Sequence, residues 1–212
     1  FQYNGWFFFA CVGLFLNYLK TKYPDFKFSS WVFWLFAGSC IPAYGLSILW
    51  LEIPTWIYAI IALSAITQLF AWGVMVNKIR GLSYFKLKNN KQLFPILFFY
   101  IALALTLKLI LQAASTIPEI SKLAFGFRPI VIAYLHLVLL AITSVFLITY
   151  SLSINLIINS KLTMIGMIAF VLAVLANEVV LAMQGIGSLK YIVVPGVNLI
   201  LLIIAITIFF SL

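Results

Sequence analysis

FGFRPIVIAYLHLVLL, residues Phe125–Leu140, holds the only histidine of this 212-residue chain. An arginine and a proline open the stretch, and the apolar run behind them continues to Leu152 without an Asp, Glu, Lys or Arg. Residues 129–152, wound as a helix at 1.5 Å per residue, rise about 36 Å, enough to cross roughly 30 Å of hydrocarbon. His136 lies about two turns inside that run. An imidazole at such depth is a ligand, a proton carrier or a packed hydrogen-bonding residue. The stretch therefore poses the fold and the function together.

Working outward, the same apolar character covers the chain. Two thirds of the residues are hydrophobic (66%) and only 8% are charged, against about a quarter in a soluble domain. The apolar runs are longer than a soluble core needs, and no ten-residue blocks alternate polar and apolar, which sets aside an outer-membrane barrel. The expected fold is all-α: a polytopic transmembrane helix bundle forming one domain over residues 1–212. Seven spans are expected, at Phe1–Leu19, Trp31–Leu51, Pro54–Val76, Phe94–Thr116, Pro129–Leu152, Leu162–Gln184 and Tyr191–Leu212. Pro54, Pro95 and Pro129 fall at span starts, where a missing amide hydrogen costs nothing. Pro42 falls inside span two and predicts a kink. Gly185 and Gly187 are expected to form the turn between spans six and seven. The chain starts with Phe rather than Met, within an apolar run and with no visible signal peptide. It reads as the C-terminal part of a longer chain, whose missing N-terminal part is an expected partner together with the lipid bilayer.

The net charge of +9 sits in the connections between spans, so it argues for topology and against a nucleic-acid partner. Loops one, three and five hold Lys20, Lys22, Lys27, Lys78, Arg80, Lys86, Lys88, Lys91 and Lys161; loops two, four and six hold Lys122, Arg128 and Lys190. The positive-inside rule puts the odd loops in the cytoplasm, the N-terminal end outside and the C-terminus inside. Trp31 and Trp56 fall near the expected interfaces. The basic loop Asn77–Leu93 reads as a solvated topology determinant, with anionic lipid as the alternative. Cys11 and Cys40 lie within spans, lack metal-ligand spacing and read as small apolar packers. No phosphate-binding glycine loop, Ser-His-Asp set or zinc cluster stands out.

Polar residues inside the spans carry what functional signal there is. Lys108, His136 and Glu178 fall roughly 9 to 12 Å below the expected outer boundary, counted at 1.5 Å per residue. Gln112, Asn177 and Gln184 share that half of the membrane, as do Asn4 and Arg128. A charge at that depth costs at least about 2.5 kcal/mol. Lys108 and Glu178 are expected to pair or to share a hydrated cavity, as a structural ion pair or a proton-handling site. His136 on its own residues reads as a packing histidine bonded to a neighbouring carbonyl. All three are expected to meet in one interior pocket.

AYLHLVLLA, with the opening FQYNGWFFFA, resembles helices of the main subunit of the haem-copper oxidase and nitric-oxide reductase superfamily, and more narrowly a set of bacterial membrane proteins distantly related to it. The resemblance implies a twelve-span subunit in the bacterial inner membrane, with haem in the outer third of the bilayer. The seven spans here then correspond to the sixth to the twelfth. His136 falls where that family's tenth helix carries a haem ligand, which makes haem the implied cofactor and electron transfer the implied activity. The family's H-x-H pattern reads Tyr134, Leu135, His136 here, and span two lacks the copper-binding histidine pair. The resemblance thus implies at most one haem iron and no copper, which takes several nitrogen or sulfur ligands. Tyr134, about 200° round the helix from His136, faces elsewhere. Two other readings stand beside this one. A transporter or channel would use the same polar layer as a proton or solute path, and Pro42 with Gly38 and Gly45 in span two offers the kind of helix break at which transporters place their sites. A structural membrane protein would use its polar residues only to hold helices together.

Overall fold

The computed structural model describes residues 2–49, 51–81, 93–192 and 195–211, and every described element is helical. Five helices are long and apolar enough to cross a membrane: Ser30–Ile48, Thr55–Arg80, Leu93–Ala114, Arg128–Ser153 and Lys161–Leu189. They overlap the expected spans two to six. At the N-terminal end, a π-helical turn, Gln2–Trp6, runs into α1, Phe7–Lys22. The last helix, α9, is Val197–Phe210. Its 14 residues reach about 21 Å at the helical rise, short of the hydrocarbon thickness. Gly196, at a φ of 75°, stands immediately before it, a backbone state that glycine adopts without strain.

Two compact units divide the chain, Phe1–Lys122 and Leu123–Leu212. In the first, α2 (Ser30–Ala43), α3 (Thr55–Arg80) and α4 (Leu93–Ala114) pack in chain order, α2 on α3 and α3 on α4. Aromatic rings tie α1 to this group, Phe15 and Tyr18 meeting Phe98 of α4 at centroid distances of 5.1 and 5.4 Å. The α-helix that contains Pro42 ends one residue later, at Ala43, and tightens into a 3₁₀ turn, Tyr44–Ile48. Beside that turn Ala43, Leu46, Leu49, Ile61 and Ala65 form a closed apolar cluster. Thr55 opens α3 directly after Pro54, and Pro95 is the third residue of α4, both placements free of amide cost. Trp31 and Trp56, at the starts of α2 and α3, are exposed, as interface anchors are.

The second unit is built round α8, Lys161–Leu189. Against it lie α6 (Arg128–His136), a π-helical segment (Leu137–Ser144) and α9, while α7 (Val145–Ser153) continues the π segment. The boundary between the units falls inside α5, Pro118–Gly126. Gly185 and Gly187 do not form a turn: both lie within α8. Glycine in a bilayer helix lets a neighbour approach, and a Cβ on Gly185 would stand 3.4 Å from Ile130 Cγ1 of α6. Ser160 caps the start of α8, its hydroxyl accepting from the Thr163 amide at 3.1 Å. Lys86, Lys88 and Lys91 of the basic loop lie outside the described residues.

Candidate functional site

In the first unit the polar residues of four segments converge on Lys108. The side chain is 3% exposed and shares the buried face of α4 with Ile101, Leu105 and Leu109. Its Nζ donates to Gln112 Oε1 at 2.6 Å, one helical turn along α4, and to Asn4 Oδ1 in the π turn before α1. Gln112 then donates through Nε2 to Gln68 Oε1 of α3 at 2.7 Å. Cys40 of α2 adds a weak bond, Sγ to the Asn4 carbonyl at 3.5 Å. Gln68 and Gln112 are as buried as the lysine, at 3% and 4% exposed.

The chemistry of this chain of bonds follows from its donors and acceptors. An ammonium has three hydrogens and no acceptor, so it must find oxygens. Here they are neutral amide oxygens, and the only acids within the first unit, Asp25, Glu52 and Glu119, fall outside its apolar helices or at the start of α5. Each glutamine passes polarity onward because an amide accepts at oxygen and donates at nitrogen. Asn4, Lys108 and Gln112, expected from sequence in one half of the membrane, are in direct contact. Gln68 was not among the expected residues. The available signal was an amide in the middle of an apolar span, which needs a partner wherever it lies.

A second polar seam joins α3 and α4 further along. Trp72 Nε1 donates to Thr106 Oγ1 at 2.8 Å, and that hydroxyl donates to the Ala102 carbonyl at 2.7 Å. Near the other end of the pair, Tyr58 OH donates to the carbonyl of Thr116. These contacts fix the register of the two helices that carry Gln68 and Lys108.

His136 and Glu178 belong to the second unit, and Lys108 to the first. His136, half-buried, closes α6 at the entry to the π segment. Its Nδ1 contacts the Ile132 carbonyl at 2.9 Å, one turn back. A carbonyl only accepts, so Nδ1 is the donor in this contact, and Nε2 takes no part in it. The neighbouring carbonyl expected as its partner comes from the preceding turn of its own helix. The π segment also satisfies its hydroxyls internally, Thr143 and Ser144 donating to carbonyls five residues back at 2.9 Å each. π turns of this kind recur at functional sites.

On α8, Asn177 Nδ2 and Glu178 Oε1 are buried with no hydrogen-bond partner among the described residues, and Thr149 Oγ1 of α7 shares that condition. Gln184 is half-buried, and its backbone carbonyl accepts from Ser188. Arg128 is exposed at the start of α6, and Tyr134 is half-buried. His136, the only histidine of the chain, could offer Nε2 to a metal while Nδ1 stays on the Ile132 carbonyl, an anchoring that metal-bound histidines commonly have.

No family model matches the chain, and no curated protein or solved structure matches it.

Proposed function

We propose that the chain is a multi-pass membrane protein that moves protons, or a solute coupled to them, by way of the polar network round Lys108. The observation that carries this reading is a lysine 3% exposed whose partners are amide oxygens on separate segments. Ionisable residues at membrane depth are costly and mark pathways for ions, protons or substrates. Charged, Lys108 offers three hydrogens; neutral, it offers two and a lone pair, so each state asks a different arrangement of Asn4 and Gln112. In this reading all seven apolar segments cross the bacterial inner membrane, α1 and α9 included. The odd loops face the cytoplasm, and the two ends of the chain face opposite sides. The test is proton flux in proteoliposomes holding an internal pH dye, under an imposed potential. Lys108→Met keeps the side chain's length and leaves the Asn4 and Gln112 oxygens without their donor, so it should cost about 1 to 3 kcal/mol, still fold, and lose flux. Flux equal to that of the unaltered protein in Lys108→Met vesicles would remove the reading.

A second reading rests on His136. The Nδ1 contact with Ile132 leaves Nε2 available to an iron, in a chain that resembles the haem-copper oxidase main subunit. Haem bound there supplies one-electron transfer, and His136 would hold the iron on one side. The full-length protein, expressed with haem available, should show haem bands in a reduced-minus-oxidised spectrum, and His136→Leu should lose them. A well-folded preparation without such bands would eliminate this reading and leave the first intact.

A further inference from the structure

Where α1 stops and α3 stops, the first unit has a basic recess, and it is separate from the Lys108 network. Tyr23 closes α1 by donating its amide to the Leu19 carbonyl at 2.7 Å, and the Phe26 amide returns to the Tyr23 carbonyl at 2.9 Å. Pro24 and Asp25 occupy the two central positions of that turn, and proline suits the first of them because its φ is already set. The turn and the last residues of α3 enclose an open cavity of about 410 Å³ lined by Lys22, Tyr23, Pro24, Asp25, Phe26, Lys27 and Lys78. Three ammonium groups face one carboxylate there, an excess of two positive charges (3 − 1). Lys22 is partly engaged, its Nζ lying 4.8 Å from the Tyr18 ring centroid, so Lys27 and Lys78 carry most of the charge on offer.

Position and surroundings say what kind of anion fits. The recess lies at the ends of apolar helices, the depth at which phospholipid headgroups sit. On the neighbouring face of α3, about 100° round from Lys78, is an exposed stripe, Leu63, Ile66 and Phe70 at 64%, 57% and 60%, spaced three and four residues apart. The same spacing continues through Gly73, beside which a Cβ would meet nothing within 4 Å, to exposed Asn77 next to Lys78. Half-buried Tyr23 and Phe26 provide aromatic surface at the interface. Free phosphate would use the ammoniums and leave the apolar track without a role. A glycerophospholipid uses both.

We propose that this recess binds the headgroup of an anionic glycerophospholipid, with Lys27 and Lys78 on its phosphate and an acyl chain along Leu63, Ile66 and Phe70. The charge of Lys27 and Lys78, rather than their shape, holds the lipid, so arginine serves equally and glutamine does not.

The test uses the full-length protein in phosphatidylcholine bilayers, with spin-labelled phosphatidylglycerol and phosphatidylcholine as probes. The unaltered protein should select phosphatidylglycerol. Removing both ammoniums in K27Q/K78Q should lower that selectivity roughly twenty-five-fold, at about fivefold per charge near the surface. K27R/K78R should retain it, which separates loss of charge from loss of fold. K161Q/K190Q, an equal charge change at exposed lysines of the second unit, should also retain it. Equal loss in K161Q/K190Q, no loss in K27Q/K78Q, or displacement of the labelled lipid by millimolar inorganic phosphate would each overturn the assignment.

Discussion

Gln68 shows how much a single side chain can decide in a bilayer. It accepts from Gln112, and Gln112 accepts from Lys108, so a change at Gln68 reaches the ammonium through one intermediary. Gln68→Leu leaves the buried Gln112 nitrogen without its acceptor. Intramembrane hydrogen bonds average about 0.6 kcal/mol and reach about 1.7 kcal/mol, so the loss in stability should fall in that range. Unfolding by dodecyl sulfate titration measures it. Gln68→Glu instead places a carboxylate within reach of the network and should alter the pH dependence of flux. An unchanged pH profile would show that Gln112 does not relay the state of Gln68 to Lys108.

At the scale of elements, close approach between helices rests on small residues. A Cβ on Gly45 would collide with Ile61 Cδ1 and lie 2.6 Å from Cγ1, and Ile61 is itself locked in the cluster with Ala43, Leu46, Leu49 and Ala65. Gly45→Val should therefore cost about 1 to 3 kcal/mol through overpacking, readable in the same titration. Gly45→Val combined with Ile61→Ala should recover part of it, because the two side chains compete for one space. In the second unit Gly166 lets the Ser211 carbonyl come close, a Cβ there standing 2.6 Å from its oxygen. Gly166→Leu should loosen α9 from α8 and raise hydrogen exchange in α9 while α6 keeps its protection. Exchange in α9 unchanged by the substitution would mean that α9 is held elsewhere.

For the molecule as a whole, the crossing number is the testable quantity. Five helices meet the length and hydropathy needed to span, while α1 with its π turn and α9 complete the proposed seven. A fluorescent protein that matures only in the cytoplasm, fused after Leu212, should glow if α9 crosses. A periplasmic phosphatase fused at the same place should be inactive. The opposite pair of outcomes would leave α9 on the outer face. Cysteine labelling at Asn155, between α7 and α8, should proceed only from the cytoplasmic side in either case.

Much of this was legible in the residues alone, and for one reason. A bilayer imposes the same demand on every crossing segment, that backbone groups bond internally and side chains be apolar, so long runs such as Pro129–Leu152 announce helices. Prolines at 54, 95 and 129 and the break at Pro42 could be read for the same reason, since their effect is local. What the residues left open was which polar groups meet. The spans are apolar all round, so no stripe reveals how each is rotated, and depth along the chain says nothing about facing. That is why depth places Lys108 beside Asn4 and Gln112 but does not single out Gln68. It is also why Gly185 could be mistaken for a turn: only the packing of α6 against α8 shows that the space it leaves is filled. Helix existence is a property of each segment, whereas rotation and register are settled by the neighbours it packs against.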